Sequence, residues 1–499
     1  MLTFQLDPHS DTPLYEQIYL TIQKYILDGT LPASTKLPST RSLSSNLGVS
    51  RNTVDTAYYQ LQAEGYIDAA PKSGFYVCDI QPGDYIKLTP LPVKTDADKF
   101  AATRSGTSNT STDVKNSFLY DFSPFSIDIS HFPYSVWKKL SRQCLGDQQD
   151  LFLLGENFGD FPLRQAICDY VRLSREVWCQ PEQIIIGAGV DYLLQMLSLT
   201  FGQQGLTHIT LENPGYTQAA HIFRNNGLTI FAGSLDEKGL TIPSISPDSQ
   251  IVYVTPSHQY PLGIVMPFRR RKELLAWASA SQDRYIIEDD HDSEFRYKGK
   301  PIPSLQSMDQ NQRVIYIGTF SKAIAPSIRV GYMILPPSLL SAYHDICGHY
   351  SCTVSRLDQA ILSHFLAEGY FEKHVNRMRK IYRNKHDLVL SCLQPLVKQY
   401  QLKIHGDNAG LHLVIELPAG GISENELIQK AAQEGIRLYG IEKHYLPEDN
   451  SHCPFGSKEK MSGILLGYSN LSEEEIKKGI CHMADTRIFD GCSDNAILI

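Results

Sequence analysis

No two of the ten cysteines (78, 144, 168, 179, 347, 352, 392, 453, 481, 492) form a CxxC pair. That spacing excludes a zinc site and a disulfide framework, and it reads as the scattered thiols of a reduced cytosolic protein. No apolar run approaches the roughly 18 residues that cross a bilayer. The opening MLTFQLDPHSDTP is acidic and broken by proline, unlike a secretory signal, so a cytoplasmic protein with no membrane partner is expected. Positive charge is also scarce, with 46 Lys and Arg against 54 Asp and Glu, a formal net charge of -8. Even Met1 to Asp79 carries only five cations (Lys24, Lys36, Arg41, Arg51, Lys72) against eight acids. Such a segment is no generic polyanion binder, and nucleic-acid affinity would rest on a few placed cations, doubled in a dimer.

Length and apolar content are ample. The 499 residues are 42% hydrophobic and 20% charged, which excludes wholesale disorder and implies two to four domains.

From Leu14 the apolar residues Leu14, Ile18, Ile22, Tyr25 and Ile26 form one stripe at helical period, ending near Gly29. Ser39 is placed to cap a short helix carrying Leu43 and Leu47, and Gly48 supplies a left-handed stop. Ser50 is placed to cap the next helix, whose buried face is Val54, Ala57, Tyr58 and Leu61. Two short helices joined at Gly48-Val49 make a helix-turn-helix. The second carries Arg51, Asn52, Thr53 and Thr56 outward, side chains suited to base edges and phosphates in a major groove. YIDAAPKSGFYV follows as two strands around a basic turn. By periodicity alone this head is equally a small interaction module that touches no DNA. Between Ile80 and about Ser117 the chain is rich in Pro, Thr, Ser, Asp and Lys and shows no apolar period, so it reads as a tether.

The segment LPSTRSLSSNLGVSRNTVDTAYYQLQAEGYIDAAPKSGFYV resembles the GntR-family winged helix almost position by position. The resemblance implies binding to double-stranded operator DNA through Arg41, Ser50, Arg51, Thr53, Lys72 and Gly74.

From Ile184 onward, short apolar strands alternate with helices or long loops: IIIGAG, HITLENPGY, IVYVTPS, RYIIEDD and RVIYIGTFSK. This pattern implies a mostly parallel sheet covered on both faces, with ligands at the carboxyl ends of its strands. Three unusual features fall at those ends. Gly187-Ala188-Gly189 opens a helix, where backbone N–H groups could hold a phosphate. EDDHDSEF (Glu288 to Phe295) packs five acids into seven residues, to bind a metal, pair with a cation or stay solvated. GTFSKAIAPSIRVGY sets Lys322 between strands, with Thr319 and Ser321 before it and Arg329 after it. Together they suit a phosphate, a cationic ring nitrogen and an aldehyde, the three handles of pyridoxal 5'-phosphate.

These motifs resemble fold-type I aminotransferases and, more closely, their MocR/GabR-type regulator relatives. The likeness runs from about Asp121 (DFSPFSIDISHFPYSVW) to LLGYSNLSEEEI. It implies a multidomain chain: a winged helix-turn-helix (α with a small β wing) over 11–79, a linker over 80–117, and an α/β aminotransferase-like domain over 118–490. The last divides into a large part at about 160–340 and a smaller C-terminal α+β part at about 341–490. By resemblance Lys322 is the Schiff-base lysine, Asp289 pairs with the ring nitrogen and Tyr216 lies near the ring. Gly189 and Val190 amides, Thr319, Ser321 and Arg329 surround the phosphate or an incoming carboxylate. A head-to-tail homodimer is implied as well.

Departures from the family pattern touch both the cofactor and the effector side. Among the cofactor-binding residues the resemblance implies, His291 replaces the tyrosine of EDDYDSEF that bonds the phenolic oxygen, to which histidine can donate, and Tyr260 stands where the enzymes have asparagine. Gln218 and Lys443 replace two arginines of a GABA-sensing relative, with Arg329 the remaining candidate for an effector carboxylate. ILLGYSNLS lacks the enzymes' carboxylate arginine near Leu466. The expectation is a regulator with no catalytic residues in use, sensing an amine, an amino acid or pyridoxal phosphate itself, with at most a slow transaminase half-reaction. The rivals are a working aminotransferase with an accessory head and a scaffold in which the cofactor is vestigial.

Overall fold

A computed structural model of the chain describes residues 4, 6–7, 10, 12–70, 74–79, 118–147, 149–297, 302–447 and 460–492. It contains two compact units, Met1–Val114 and Lys115–Ile499.

In the first unit, α1 (Leu14–Leu27), α2 (Thr40–Leu47) and α3 (Arg51–Ala63) precede strands β1 (Ile67–Ala70) and β2 (Gly74–Val77). The helix starts are locally coded. Ser39 Oγ accepts from the Ser42 amide, and Ser50 Oγ from the Thr53 amide, each satisfying a donor the first turn leaves open. Gly48, at φ 68°, closes α2 in the left-handed conformation. One face of α3 (Val54, Ala57, Tyr58, Leu61) is buried against Ile18 and Ile22 of α1 and Leu43 of α2. β1 and β2 form an antiparallel hairpin in which Ile67 pairs with Val77 and Ala70 with Gly74. Lys72, expected at the tip of this wing, lies outside the described residues.

The second unit is built on an eight-stranded sheet: β3 (Ile184–Gly187), β4 (His208–Asn213), β5 (Thr229–Asp236), β6 (Gly239–Leu240), β7 (Ile251–Val254), β8 (Tyr285–Asp289), β9 (Val314–Thr319) and β10 (Gly331–Ile334). Their spatial order is β3-β10-β9-β8-β7-β4-β5-β6. The central pairs β9–β8, β8–β7, β7–β4 and β4–β5 are parallel, whereas β10 runs antiparallel to both β9 and β3. Both faces are covered, so the strands are apolar on both sides. Ile185, Ile287, Ile317 and Met333 join one core with α6 (Val190–Gln203), α7 (Thr217–Asn225) and α9 (Pro337–Cys347). Ile184, Ile186, Tyr316 and Tyr332 join the opposite core with α4 (Tyr134–Asp147), α5 (Phe161–Arg175) and α10 (Arg356–Ala367). Val252, Ile286 and Val314 pack with α8 (Phe268–Ser279).

After the long helix α11 (Tyr370–Tyr400) comes an antiparallel sheet of β11 (Lys403–His405), β12 (His412–Glu416), β13 (Tyr439–Gly440) and β14 (Gly463–Gly467). It shares a core with α12 (Glu424–Gln433) and α13 (Glu473–Asp485). No described helix is long and apolar enough to cross a membrane.

Candidate functional site

The register of the large sheet gathers the candidates at one edge. Asp289, the last residue of β8, lies beside Ile317 of β9; Thr319 lies beside Gly331 of β10, and Gly331 beside Gly187 of β3. The turn after β9 therefore brings Lys322 next to the acid run after β8 and the glycine turn after β3.

Lys322 Nζ donates to the Pro124 carbonyl at 2.7 Å. Burial pushes its pKa below the ordinary lysine value, with Asp292 pulling the other way, so its neutral nucleophilic form is closer to hand than in water. Asp289 is buried and accepts a hydrogen bond from the Tyr253 hydroxyl of β7. Its pKa is raised by burial, against the lowering effect of Tyr253 and His291. A carboxylate taken from water in this way gains most from a cationic partner.

The other acids of the run are committed elsewhere. Glu288 accepts the Leu305 and Gln306 amides at 2.7 and 2.9 Å. Asp290 holds buried Arg175 in two bonds of 2.8 and 3.0 Å and also accepts from Ser293 Oγ and the Tyr316 hydroxyl. Asp292 is the exception. Buried and left-handed at φ 54°, it has no well-formed hydrogen bond to either carboxylate oxygen among the described residues, and His291 Nε2 lies 3.3 Å away.

The glycine turn is a fitted corner. Gly189 sits at φ 87° and ψ 174° immediately before α6, and a Cβ there would stand 2.8 Å from Arg329 Nη2. Arg329, itself at φ 51°, bonds the Ala188 carbonyl at 3.3 Å and faces Asp191 at 3.4 Å. The Gly189 amide is already spent on the Gly187 carbonyl, and the Ala188 amide on Thr353 Oγ1. An anion would therefore meet the first-turn amides from Val190 onward, which a helix leaves without internal acceptors. Thr319 and Ser321 hydroxyls bond each other at 3.0 Å on the facing turn.

The Tyr216 hydroxyl donates to Asp191 at 3.2 Å, and its ring meets Tyr260 edge-on, with centroids 6.3 Å apart. Tyr260 is enclosed by His291, His412 and His444 at 5.1, 5.6 and 5.0 Å, and its buried hydroxyl has no partner among the described residues. Burial lowers the pKa of three nearby histidines, to about 4 for His258, about 3 for His412 and about 4 for His444. Gln218 and Lys443 are exposed on abutting segments, joined where Thr217 Oγ1 reaches the Lys443 carbonyl and the Gly215 amide the His444 carbonyl.

On the head, Arg41 and Arg51 are exposed, with Arg51 loosely paired to Asp55 at 3.5 Å. Ser50 and Thr53 bond each other at 2.8 Å at the start of α3, so their first duty is the cap. Gly74 is at φ 112°, and a Cβ there would lie 3.6 Å from Lys36 Cε, which adds Lys36 to the wing's cations. Sequence reasoning counted Lys36 among the head's cations without placing it at the wing, and missed Tyr253, Asp292, Pro124, His258, His412 and His444. Only Asp292 had a signal, in the acid run; the others are brought in by pairing across distant segments.

Residues 126–453 match the family of aminotransferases class I and II, and residues 14–77 match the bacterial regulatory proteins of the gntR family. The chain is 39% identical to the HTH-type transcriptional regulator YdeL of Bacillus subtilis, over 94% of this chain and 96% of that one. It is 32% identical to a protein of Rhizobium meliloti named "Probable rhizopine catabolism regulatory protein MocR", over 95% and 94% of the two chains. Among solved structures it resembles the kynurenine aminotransferase of Pyrococcus horikoshii in complex with PMP. That match has a TM-score of 0.64 at 23% identity, covers 81% of this chain and 98% of the other, and speaks for the fold.

Proposed function

The chain belongs to the MocR-type transcription regulators, a gntR-family winged helix joined to an aminotransferase class I and II domain, and from this we propose that pyridoxal phosphate bound at Lys322 is its sensing element. The observation that carries the reading is the convergence of Lys322, buried Asp289 and the Gly189–Arg329 corner at one sheet edge. The residues fit the group. Asp289 would take the ring nitrogen, Tyr216 would lie near the ring, and the unpartnered Tyr260 hydroxyl and His291 would serve the phenolic oxygen. Val190 amides onward, Thr319, Ser321 and Arg329 would hold the phosphate.

When bound, the cofactor supplies an aldehyde that exchanges its amine partner. The chain's own residues do the rest. Tyr253 fixes the orientation of Asp289, burial keeps Lys322 ready to give up its proton, and the packed Tyr260–histidine wall limits water. Gln218 and Lys443 face the effector in place of an arginine pair, which supports an amine or amino-acid signal, or the cofactor itself, held without a strong carboxylate clamp. Recognition of operator DNA falls to Arg41, Arg51, Lys36 and the wing turn with Lys72, with Ser50, Thr53 and Gly74 setting the backbone. A homodimer with two heads reading two half-sites fits a head with so few cations.

Borohydride reduction with peptide mapping tests the cofactor reading: label on Lys322, lost in Lys322→Ala, is expected. Label on another lysine, or none, refutes it. Sustained turnover near or above ~1 s⁻¹ with a common amino donor and acceptor, as ordinary enzymes show, would favour a working aminotransferase instead.

A further inference from the structure

Asp292 has no role in the reading above. It is a buried carboxylate in a left-handed turn, with no well-formed hydrogen bond to either oxygen and one close contact, His291 Nε2 at 3.3 Å. Aspartate visits this backbone conformation more readily than most residues, so what sets Asp292 apart is its buried carboxylate and the turn that aims it at His291. The contact constrains His291 chemically. With Nε2 turned to Asp292 and the ring partly exposed, Nδ1 is the nitrogen left to meet a ligand. A neutral imidazole donating from Nε2 has only a lone pair at Nδ1; the imidazolium donates from both.

We infer that Asp292 is a positioning residue that holds His291 as an imidazolium, so that Nδ1 serves as a donor to the phenolic oxygen of a bound pyridoxal phosphate. The inference rests on the cofactor reading above. It gives this chain a property that a tyrosine at position 291 would lack. Tyrosine donates at any ordinary pH, whereas His291 donates only while charged.

The groups around His291 agree with a cation there. Asp292 is on its own turn, Asp289 ends β8, and Lys322 follows β9; Tyr260 and His258 come from the turn after β7, and His412 from β12. His258 and His412 are held neutral by burial, and the cation that opposes charge on His291 most strongly among the described residues is Lys322, set against Asp292 and Asp289. Burial works against charge on His291, but Asp292 outweighs it and leaves the pKa above the ordinary histidine value. The sign follows: the donor is present below that raised pKa and is lost as pH rises through it.

The probe is pyridoxine 5'-phosphate, which keeps the ring, phenolic oxygen and phosphate but has no aldehyde for Lys322. Its affinity is measured from about pH 6 to about pH 9, across the histidine range, in the full-length protein and in Asp292→Asn, Asp292→Glu and His291→Tyr. A charge-assisted hydrogen bond predicts a fall of roughly tenfold or more in the native protein as pH rises. In Asp292→Asn the fall should begin at lower pH, in Asp292→Glu the native profile should largely return, and in His291→Tyr this fall should vanish. An Asp292→Asn profile that overlays the native one, or a His291→Tyr profile that keeps the fall, overturns the inference.

If no variant binds the probe at any pH, the cofactor reading fails, and the pair is judged in the unliganded protein. Imidazole NMR on histidine-labelled protein, with His291→Gln identifying the resonance, should show His291 titrating above the ordinary histidine range and dropping in Asp292→Asn. Titration at or below that range in the native protein overturns the pairing itself.

Discussion

Gly189→Ala should separate the backbone requirement of the phosphate corner from its chemistry. At φ 87° and ψ 174°, Gly189 occupies a region essentially closed to residues with a Cβ, and forcing alanine there costs about 1–3 kcal/mol. The new methyl would also stand 2.8 Å from Arg329 Nη2 and 2.9 Å from its Cζ, so the guanidinium must leave its place beside Ala188 and Asp191. A hydrogen bond to a charged group contributes about 1.5–3 kcal/mol, so losing one would weaken binding of pyridoxal phosphate by about 10- to 150-fold. Gly202 is the internal control. It lies in the last turn of the same helix, with nothing within 4 Å of an added Cβ, and Gly202→Ala should stabilise by up to about 1 kcal/mol. Urea denaturation reads the stabilities and absorbance titration the affinities. If Gly189→Ala matches the native protein in both, the corner is no cofactor cradle and the strain argument is wrong.

Four further outcomes are expected. Arg51→Ala should cost about 1–3 kcal/mol of operator affinity at matched salt in a mobility-shift assay; undiminished affinity would remove Arg51 from the interface. Leu61, fully buried in the head, should cost about 2–5 kcal/mol as alanine, seen as loss of the head's melting transition and of DNA binding. Tyr253→Phe should leave the fold intact and weaken cofactor binding by removing the hydroxyl that orients Asp289, measured by absorbance titration. Asp128 is paired with Lys385 at 2.7 Å and, despite burial, has its pKa lowered to about 2 by that lysine and Ser130. Its stabilisation is present above the unfolded carboxylate pKa and is lost as pH falls from about 4 to about 2. Asp128→Asn should flatten that part of the acid limb in a pH series of urea melts.

What the sequence disclosed about this molecule was what a short window encodes. Ser39, Gly48 and Ser50 mark helix ends by capping chemistry that needs no distant partner, and the i, i+3, i+4, i+7 spacing of Val54 to Leu61 names the buried face of α3 outright. Strand ends at Asp289 and Thr319 were visible because apolar runs stop where polar loops begin. The antiparallel insertion of β10 between β9 and β3 was not visible, since strand order is decided by packing across the sheet. The same limit hid the wall around Tyr260. His412 and His444 arrive there from β12 and the segment after β13, more than a hundred residues along the chain. Asp292 was one acid among five until the backbone turned left-handed and separated it from Asp290, which the sheet had given to Arg175.

The end of β9 and its connection to β10 carry Thr319, Ser321, Lys322 and Arg329 in one continuous stretch. On the proposed reading, the lysine and the side chains that would hold the phosphate are spaced by one short stretch of peptide, with the Val190 end of α6 docked against it. The side expected to meet the effector is assembled differently, from the Tyr216–Gln218 segment, the Tyr260 turn and the Lys443–His444 segment. Substitutions there leave the loop's bond to the sheet untouched. On that same reading, Gln218 and Lys443 could change with the signal while Lys322 and its loop stay as they are, because neither residue is part of the chemical handle.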